Sequence, residues 1–494
     1  MQSELFDWQK TIKCKKVKTN AIKYSSLGRT KRVHLVGIGG SGMSAIAELL
    51  LKRGFEVSGS DQQRSEITER LKTLGATICI GHNKDIIDGA DVVAHSSAVN
   101  PETNSETVEA KLRGIPVIKR DELLGELMRH KIGICVAGTH GKTTTTAMIG
   151  VLLQECGLNP TVLIGGISDY FQNLTQMQGS AIVGDSEFMV VEADEYDRTF
   201  LKLTPTIAVI TTLEAEHVDT NQDINDVRAA FVEFANKTPF YGAVICCGDE
   251  FHIMEIAHLF EQKVITYGTG ENCDYVAYDI ASHQLTTTFK VRYREEPLGM
   301  LELHAVGVHN VKNALAAVAV AREIGLEFED IRRALLKFCP VRRRFQLKLP
   351  ESSRIIVVDD YAHHPTEVRA TLEAARGGWK ERRLVAVFQP HLYSRTKDFA
   401  KDFARALMQA DEVFIAEVYA SREKKEDFPN VSGAMIEQQM HEQGYANAYF
   451  IADRNLLLAG VLSAVREGDM VVVMGAGDIT RFADKLAEEL RKHN

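Results

Sequence analysis

The chain has 494 residues, of which 45% are apolar and 25% are charged, and this composition is usual for a globular protein of about three domains. Its net charge of -9 at pH 7 argues against nucleic acid as a partner, because no excess of Lys and Arg is available to neutralise phosphates. No apolar run approaches the roughly 18 residues that cross a bilayer. The lack of such a run indicates that no membrane is a partner. The eight cysteines are scattered without CxxC spacing, which favours a reduced, cytoplasmic protein.

The alternation of strand and helix patterns predicts an α/β protein of three domains. After a lysine-rich extension over 1–27, which we expect to be disordered, the domains are expected at 28–128, 129–340 and 341–494. The first and third are expected to be Rossmann-like. The central one should carry a parallel sheet like that of P-loop ATPases, with a small antiparallel hairpin at 285–304. Strands are predicted at 33–36, 56–60, 188–191, 207–211, 354–358, 384–388, 412–416 and 471–474.

The first glycine-rich turn follows the first predicted strand and precedes a helical pattern over 43–53. Gly37, Gly39 and Gly42 have GxGxxG spacing, and Asp61 lies where a carboxylate that accepts from a ribose hydroxyl is expected. The spacing fits a dinucleotide and equally any nucleotide diphosphate. A tight turn without a ligand is the alternative.

A second glycine-rich turn, at 138–144, lies between an apolar run at 132–137 and a helical pattern. Such a turn aims backbone N–H groups at phosphate oxygens, and the helix adds about half a positive charge at its N-terminus. Lys142 is expected to reach the terminal phosphates, and Thr143 to place its hydroxyl on magnesium. The loop is shorter than the usual signature, since Val136 stands where a glycine is expected. The sequence predicts an ATP site, with a turn that only caps a helix as the alternative.

Acidic residues follow two predicted strands of the central domain. One group is 192–195, and the other contains Glu214, Glu216, His217 and Asp219. Carboxylates massed beside a phosphate loop repel one another unless a divalent cation lies among them. A single acidic residue here would more often be an ordinary surface residue, but two groups at matching strand ends predict magnesium.

The third domain carries polar groups at 359–365 and 388–395, each at the end of a predicted strand. Ligands of open parallel sheets bind at such carboxyl ends, so we expect these groups to form a third wall of one site. Buried structural histidines are the alternative. A basic run at 342–344 marks the linker before this domain, and a solvated linker explains it equally well.

Asn310 and Asn313 precede an alanine-rich helical stretch at 314–321. Their amides match the donor and acceptor edge of a purine, but ordinary N-capping is the stronger interpretation of these two residues alone.

Together these motifs resemble the Mur ligases of bacterial cell-wall synthesis. The resemblance runs from Arg32 to Phe482 and depends on several motifs in the same order. It implies a UDP-sugar on the first domain, ATP and magnesium on the second, and an amino acid brought by the third. The motifs are 34–44, 138–144, 192–195, 309–314, 359–365 and 389–391 with Arg395.

The chain is most similar to the branch of the family that joins L-alanine to the lactyl carboxylate of UDP-N-acetylmuramate. This resemblance implies an ATP-dependent amide ligase of peptidoglycan precursor synthesis that works through an acyl phosphate, as a monomer or homodimer. One alternative is a sibling branch that attaches a recycled tripeptide to the same sugar. A non-catalytic, nucleotide-controlled switch is another. A nicotinamide dehydrogenase would leave Lys142 and the acidic groups unexplained.

The resemblance also implies roles for individual residues. The expected catalytic residues are Lys142, Glu192, His217, Arg344 and His363. The expected nucleotide contacts are Gly138, Thr139, His140, Gly141, Lys142, Thr143, Thr144, Asn310, Asn313 and Arg344. The expected substrate contacts are Gly37, Gly39, Gly40, Ser41, Gly42, Met43, Asp61, Tyr361, His363 and Arg395. The expected magnesium ligands are Thr143, Glu192 and His217.

The chain departs from the family pattern at three positions. Thr212 and Glu216 stand where relatives often have Asn and Asp beside the metal histidine. Leu392 replaces an arginine that many relatives carry, so recognition of the amino-acid carboxylate is expected to depend on Arg395 and His363.

Overall fold

The computed structural model describes residues 27–175, 179–214 and 224–492. These residues form three sheets, each flanked by helices, and the predicted α/β fold class is confirmed. Every helix in the described ranges is too short or too polar to cross a membrane. The predicted extension lies almost wholly outside the described residues.

The first unit is a five-stranded parallel sheet with helices between its strands. Its elements are β1 (Arg32–Val36), α1 (Ser41–Lys52), β2 (Glu56–Asp61), α2 (Glu66–Thr73), β3 (Thr77–Ile80), β4 (Val92–His95), α3 (Ser105–Leu112), β5 (Val117–Lys119) and α4 (Arg120–Met128). The strand order is β3-β2-β1-β4-β5, so the chain reverses direction across the sheet beside β1. A crevice at such a reversal is the usual ligand position in open α/β sheets, and the first glycine turn leaves β1 there.

The central unit is a ten-stranded mixed sheet. Its elements are β6 (Ile132–Ala137), α5 (Lys142–Glu155), β7 (Thr161–Leu163), α6 (Asp169–Thr175), β8 (Ala181–Ile182), β9 (Phe188–Glu192), β10 (Ile207–Ile210), α7 (Ile224–Asn236), β11 (Ala243–Cys247), α8 (Phe251–Ile256), β12 (Lys263–Gly268), β13 (Tyr275–His283), β14 (Thr286–Tyr293), β15 (Glu296–Leu303), α9 (Val308–Glu323) and α10 (Phe328–Leu335). The order is β15-β14-β13-β12-β11-β10-β6-β9-β7-β8. The phosphate loop therefore leaves β6, with β9 and β10 as its neighbours.

The predicted hairpin at 285–304 is in fact part of a three-stranded antiparallel meander, β13 to β15. The prediction missed β13 because its first residues are all buried and do not alternate. Those residues pair in parallel with β12, through Tyr267 and Tyr275, which joins the meander to the main sheet.

The third unit is a six-stranded sheet. Its elements are β16 (Gln346–Leu347), β17 (Ile356–Asp360), α11 (Pro365–Gly378), β18 (Leu384–Phe388), α12 (Tyr393–Leu407), β19 (Glu412–Ile415), α13 (Ala434–Glu442), β20 (Ala448–Phe450), α14 (Arg454–Ala464), β21 (Met470–Met474) and α15 (Ile479–Lys492). The order is β16-β17-β21-β18-β19-β20, and only β16 is antiparallel among these strands. β17, β21 and β18 are buried throughout, as expected for parallel strands covered on both faces.

The hydrophobic cores of the molecule do not correspond one to one with its three sheets. One continuous core contains Ile46 of the first unit together with Ile134 and Phe171 of the central unit. The third unit has separate cores on the two faces of its sheet, around Phe388 and Val387. The first two units therefore share a core, whereas the third unit has separate cores, to one of which the central unit contributes Val306 and the partly buried Leu285.

Candidate active site

The three units surround one cavity of ≈ 700 Å³. Gly42 and Arg120 of the first unit line it, together with Lys142 and Glu192 of the central unit and Arg395 of the third. A cavity of this volume is large enough to bury most of a small ligand. The phosphate loop and the first acidic strand end therefore face a common space.

The phosphate loop owes its shape to two glycines with positive φ, Gly138 at 133° and Gly141 at 84°. A Cβ on Gly138 would lie 2.1 Å from Thr211 Oγ1, and a Cβ on Gly141 would lie 2.6 Å from Asn313 Oδ1. Any other residue would be strained at both positions and would collide with its neighbour. The loop ends at Gly141, so the N-terminus of α5 opens into the cavity and favours an anion there.

The ammonium group of Lys142 is held at the centre of this loop. It donates to the carbonyl oxygen of Gly138 at 2.6 Å and to the Glu195 carboxylate at 2.8 and 3.1 Å. Both side chains of the ion pair are mostly buried. A phosphate that binds Lys142 must therefore compete with Glu195, an interaction that the sequence did not reveal.

Oxygen atoms suitable for magnesium lie beside the loop. The Thr143 hydroxyl donates to Glu192 Oε1 at 2.7 Å, and the Gly165 N–H donates to Glu192 Oε2 at 2.7 Å. A hydroxyl and a carboxylate are hard donors of the kind that Mg²⁺ prefers, so these residues fit the ion. His217, the third predicted ligand, lies outside the described residues, as do Glu216 and Asp219.

Glu367 of α11 links the third unit to the phosphate loop. Its carboxylate lies 2.9 Å from His363 Nδ1, 3.2 Å from His140 Nδ1 and 3.6 Å from Arg344 Nη1. Burial by itself raises the pKa of Glu367, but the His363 and His140 imidazoles outweigh it and hold that pKa well below its ordinary value. Sequence reasoning missed Glu367, although its position four residues after His363 at a helix start was a usable signal.

The linker arginines pack against the predicted amino-acid site. The guanidinium groups of Arg343 and Arg344 lie 4.9 and 5.3 Å from the centre of the Tyr361 ring, within cation–π range. Burial lowers the pKa of Arg344, but the Glu367 and Asp360 carboxylates outweigh it and raise that pKa, so the guanidinium stays charged. The basic run is thus packed into the site wall rather than forming a solvated linker.

The predicted site residues divide into two groups. Those that line the cavity are Gly42, Thr139, His140, Gly141, Lys142, Thr143, Glu192, Arg344, Tyr361, His363 and Arg395. Within the described part of the chain, those outside its wall are Gly37, Gly39, Gly40, Met43, Asp61, Gly138, Thr144, Asn310 and Asn313.

The two asparagines do not cap a helix, so the capping interpretation was wrong. Helix α9 begins at Val308, with Gly307 at its N-cap, and both asparagines lie inside its first turns. Asn310 donates to the carbonyl oxygen of Val306 at 2.7 Å, and Asn313 donates to Asn310 Oδ1 at 3.3 Å. They lie behind the phosphate loop, where Asn313 approaches Gly141.

Asp61 holds the first glycine turn together. Its carboxylate accepts from the Gly39 N–H at 2.8 Å, and the carbonyl of Ser60 accepts from the N–H groups of Gly37 and Ile38. In this structure the Asp61 side chain therefore accepts a hydrogen bond from the backbone of the glycine turn.

Family models cover most of the chain. The model described as "Mur ligase family, catalytic domain" matches residues 32–132, "Mur ligase middle domain" matches 136–321, and "Mur ligase, glutamate ligase domain" matches 343–477. The chain belongs to the Mur ligase family. The resemblance predicted from the motifs is confirmed, and Mur ligases are ATP-dependent ligases.

Similar Mur ligases include the UDP-N-acetylmuramate–L-alanine ligase of Chlorobaculum tepidum, 52% identical over 461 residues, or 93% of this chain and 96% of the relative. The ligase of the same name from Chlorobium phaeovibrioides is 52% identical over 472 residues, covering 95% and 99% of the two chains. The crystal structure of the UDP-N-acetylmuramate–alanine ligase of Thermotoga maritima matches with a TM-score of 0.78 and 30% identity over 94% of this chain and 100% of that one.

Proposed function

We propose that this Mur ligase uses ATP to join L-alanine to the lactyl carboxylate of UDP-N-acetylmuramate, in the synthesis of peptidoglycan precursors. The observation that supports the proposal is a cavity lined by both Lys142 of the phosphate loop and Arg395 of the third unit. Identity of about half to ligases of that name, over nearly the whole chain, supports the choice of acceptor and sugar.

The reaction has two parts. A carboxylate is a poor electrophile, so the sugar carboxylate first takes a phosphoryl group from ATP, and the alanine amine then displaces phosphate from the acyl phosphate. Lys142 and Arg344 both line the cavity, and their positive charges are proposed to act on the transferring phosphoryl group. Fixed charges of this kind are the largest catalytic contribution in phosphoryl transfer.

Thr143 and Glu192 are proposed to hold magnesium, with His217 as a further ligand. When bound, the ion would neutralise charge on the phosphates. His217 or a nearby carboxylate is proposed to accept the proton of the amine.

The substrates are proposed to bind in the family arrangement, on the three cavity walls and on predicted residues outside them. The first glycine turn, 37–43, with Asp61 would hold the UDP-sugar. Asn310 and Asn313 would face the adenine, and Arg395 with His363 would hold the alanine carboxylate. Domain limits at 28–128, 129–340 and 341–494 are proposed to separate these walls.

A phosphate-release assay tests the proposal. Purified protein with ATP and UDP-N-acetylmuramate is given L-alanine, the tripeptide or no acceptor. We expect release that requires L-alanine. Release with the tripeptide alone would assign the chain to the sibling branch, and ATP binding without acceptor-dependent release would favour the switch.

A further inference from the structure

Two histidines and one glutamate meet where the central unit touches the third. This interdomain cluster consists of His140 in the phosphate loop, Glu214 after β10 and His364 just before α11. One nitrogen or oxygen atom from each residue lies within 4.8 Å of the other two. Glu214 belongs to the second acidic group, for which the sequence predicted a divalent cation, but none of the three is among the named magnesium ligands Thr143, Glu192 and His217.

The spacing of the ligand atoms matches a small coordination sphere. Glu214 Oε2 lies 3.7 Å from His140 Nε2 and 3.5 Å from His364 Nδ1. In a tetrahedral zinc site with bonds of about 2.0–2.1 Å, neighbouring ligand atoms are about 3.4 Å apart. The two glutamate–histidine spacings exceed this value by about 0.3 Å or less, and the two imidazole nitrogens lie within 4.8 Å of each other.

Surrounding residues hold two of these groups in the orientation that a metal requires. The other ring nitrogen of His140, Nδ1, lies 3.2 Å from Glu367 Oε1, and the Thr366 hydroxyl donates to Glu214 Oε2 at 2.9 Å. A carboxylate behind a ligating histidine fixes its ring and raises its basicity.

We propose that the interdomain cluster binds one borderline transition-metal ion, with zinc as the best fit, and that this ion links the phosphate loop to the third unit. Two imidazoles and a carboxylate suit Zn²⁺ far better than Mg²⁺, which prefers oxygen donors. His140 and Glu214 belong to the central unit and His364 to the third, so a single ion joins the two. The fourth position is left for water.

Titration of the full-length, nucleotide-free protein with Co²⁺, a coloured substitute for zinc, tests the site. We expect visible d–d bands that saturate at one cobalt per chain, that Zn²⁺ abolishes and that excess Mg²⁺ leaves unchanged. His364→Ala should weaken binding by at least ~10-fold. Glu192→Gln should keep the bands, which separates this site from the magnesium site.

A matched control is His252→Ala, which removes a partly exposed histidine 3.4 Å from Glu255 and should leave the bands intact. Thr366→Val keeps all three ligands but removes the hydrogen bond to Glu214, and should weaken binding by about 10-fold without unfolding the chain. Bands that survive His364→Ala, or a thiolate-to-cobalt charge-transfer band, would overturn the site.

Amide hydrogen exchange separately tests whether the ion links the central unit to the third unit. In the wild type, we expect Zn²⁺ to slow amide exchange both in the phosphate loop and at the start of α11. In His364→Ala, Zn²⁺ should slow exchange in neither segment. Equal exchange with and without Zn²⁺ in a protein that binds the ion would show that it does not join the two units.

Discussion

The Lys142–Glu195 ion pair shows how one residue of the phosphate loop is prepared for its ligand. Glu195 lies 2.8 Å from Lys142 Nζ and keeps that group inside the loop. The same carboxylate opposes a phosphate by charge, so nucleotide binding requires Lys142 to exchange one anionic partner for another.

Lys142→Ala should abolish acceptor-dependent phosphate release, by at least ~10²-fold, because the fixed charge beside the transferring phosphoryl group is lost. Circular dichroism should show an intact fold. Lys263→Ala serves as the control, since Lys263 forms an exposed pair with Glu323 far along the sheet. Near-normal turnover of Lys142→Ala would contradict the role of this residue.

Glu367→Gln should destabilise the protein at neutral pH. The pKa of Glu367 is lowered in the folded state, so its ion pairs contribute stability above its ordinary pKa of about 4.5, and this stability is lost as pH falls from there through the folded pKa. Removal of one partner of a buried ion pair costs about 3 kcal/mol or more in the free energy of unfolding.

The measurement is urea unfolding of both proteins at pH 7 and at a series of pH values below about 4.5, where the difference should shrink progressively as pH falls toward the folded pKa of Glu367. Glu329→Gln is a control, because Glu329 also has a lowered pKa but lies on the surface beside Arg332. A difference that is constant over this pH range would contradict the assignment.

At the scale of elements, buried parallel strands were the best predicted, because they are short, continuous apolar runs. The boundaries of β18 at Leu384–Phe388 match the prediction. The strand predicted at 354–358 is shifted, since β17 includes Asp359 and Asp360. Both carboxylates are buried because they have internal partners: Asp359 accepts from Thr480, and Asp360 accepts from two backbone N–H groups.

The two ends of α5 offer a matched test of the phosphate loop. Gly141 before the helix and Gly157 after it have nearly the same φ, 84° and 80°, but only a Cβ on Gly141 meets a neighbour, Asn313 at 2.6 Å. Because of backbone strain, alanine at either position should lower the free energy of unfolding by about 1 kcal/mol. Only Gly141→Ala should also lower the affinity for ATP, which titration calorimetry measures. Equal ATP affinities of the two variants would contradict the model of the loop.

At the scale of the whole molecule, the sequence predicted which motifs belong to the site but not the contacts that join them. Thr366 and Glu214 are hydrogen bonded although 152 positions separate them, and no local pattern encodes that pairing. The same is true of Glu367 and His140. These contacts depend on how the third unit docks, which follows from the packing of two surfaces.

The separate core of the third unit leads us to expect movement when ligands bind. Polar groups such as Glu367 and Thr366 make the contacts beside the cavity, and bound ATP and UDP-sugar would add to them. Small-angle X-ray scattering should give a smaller radius of gyration for protein with an ATP analogue and both other substrates than for free protein. Identical profiles would contradict this expectation.

Glu367 has one more consequence, because its carboxylate contacts a phosphate-loop histidine, a linker arginine and His363 at once. If ATP and alanine both draw on this group, their affinities are coupled. By thermodynamic reciprocity, ATP must then change the affinity for alanine by the same factor by which alanine changes the affinity for ATP. Glu367→Gln would bring that factor toward one, and the two ligands would then bind as though each were alone.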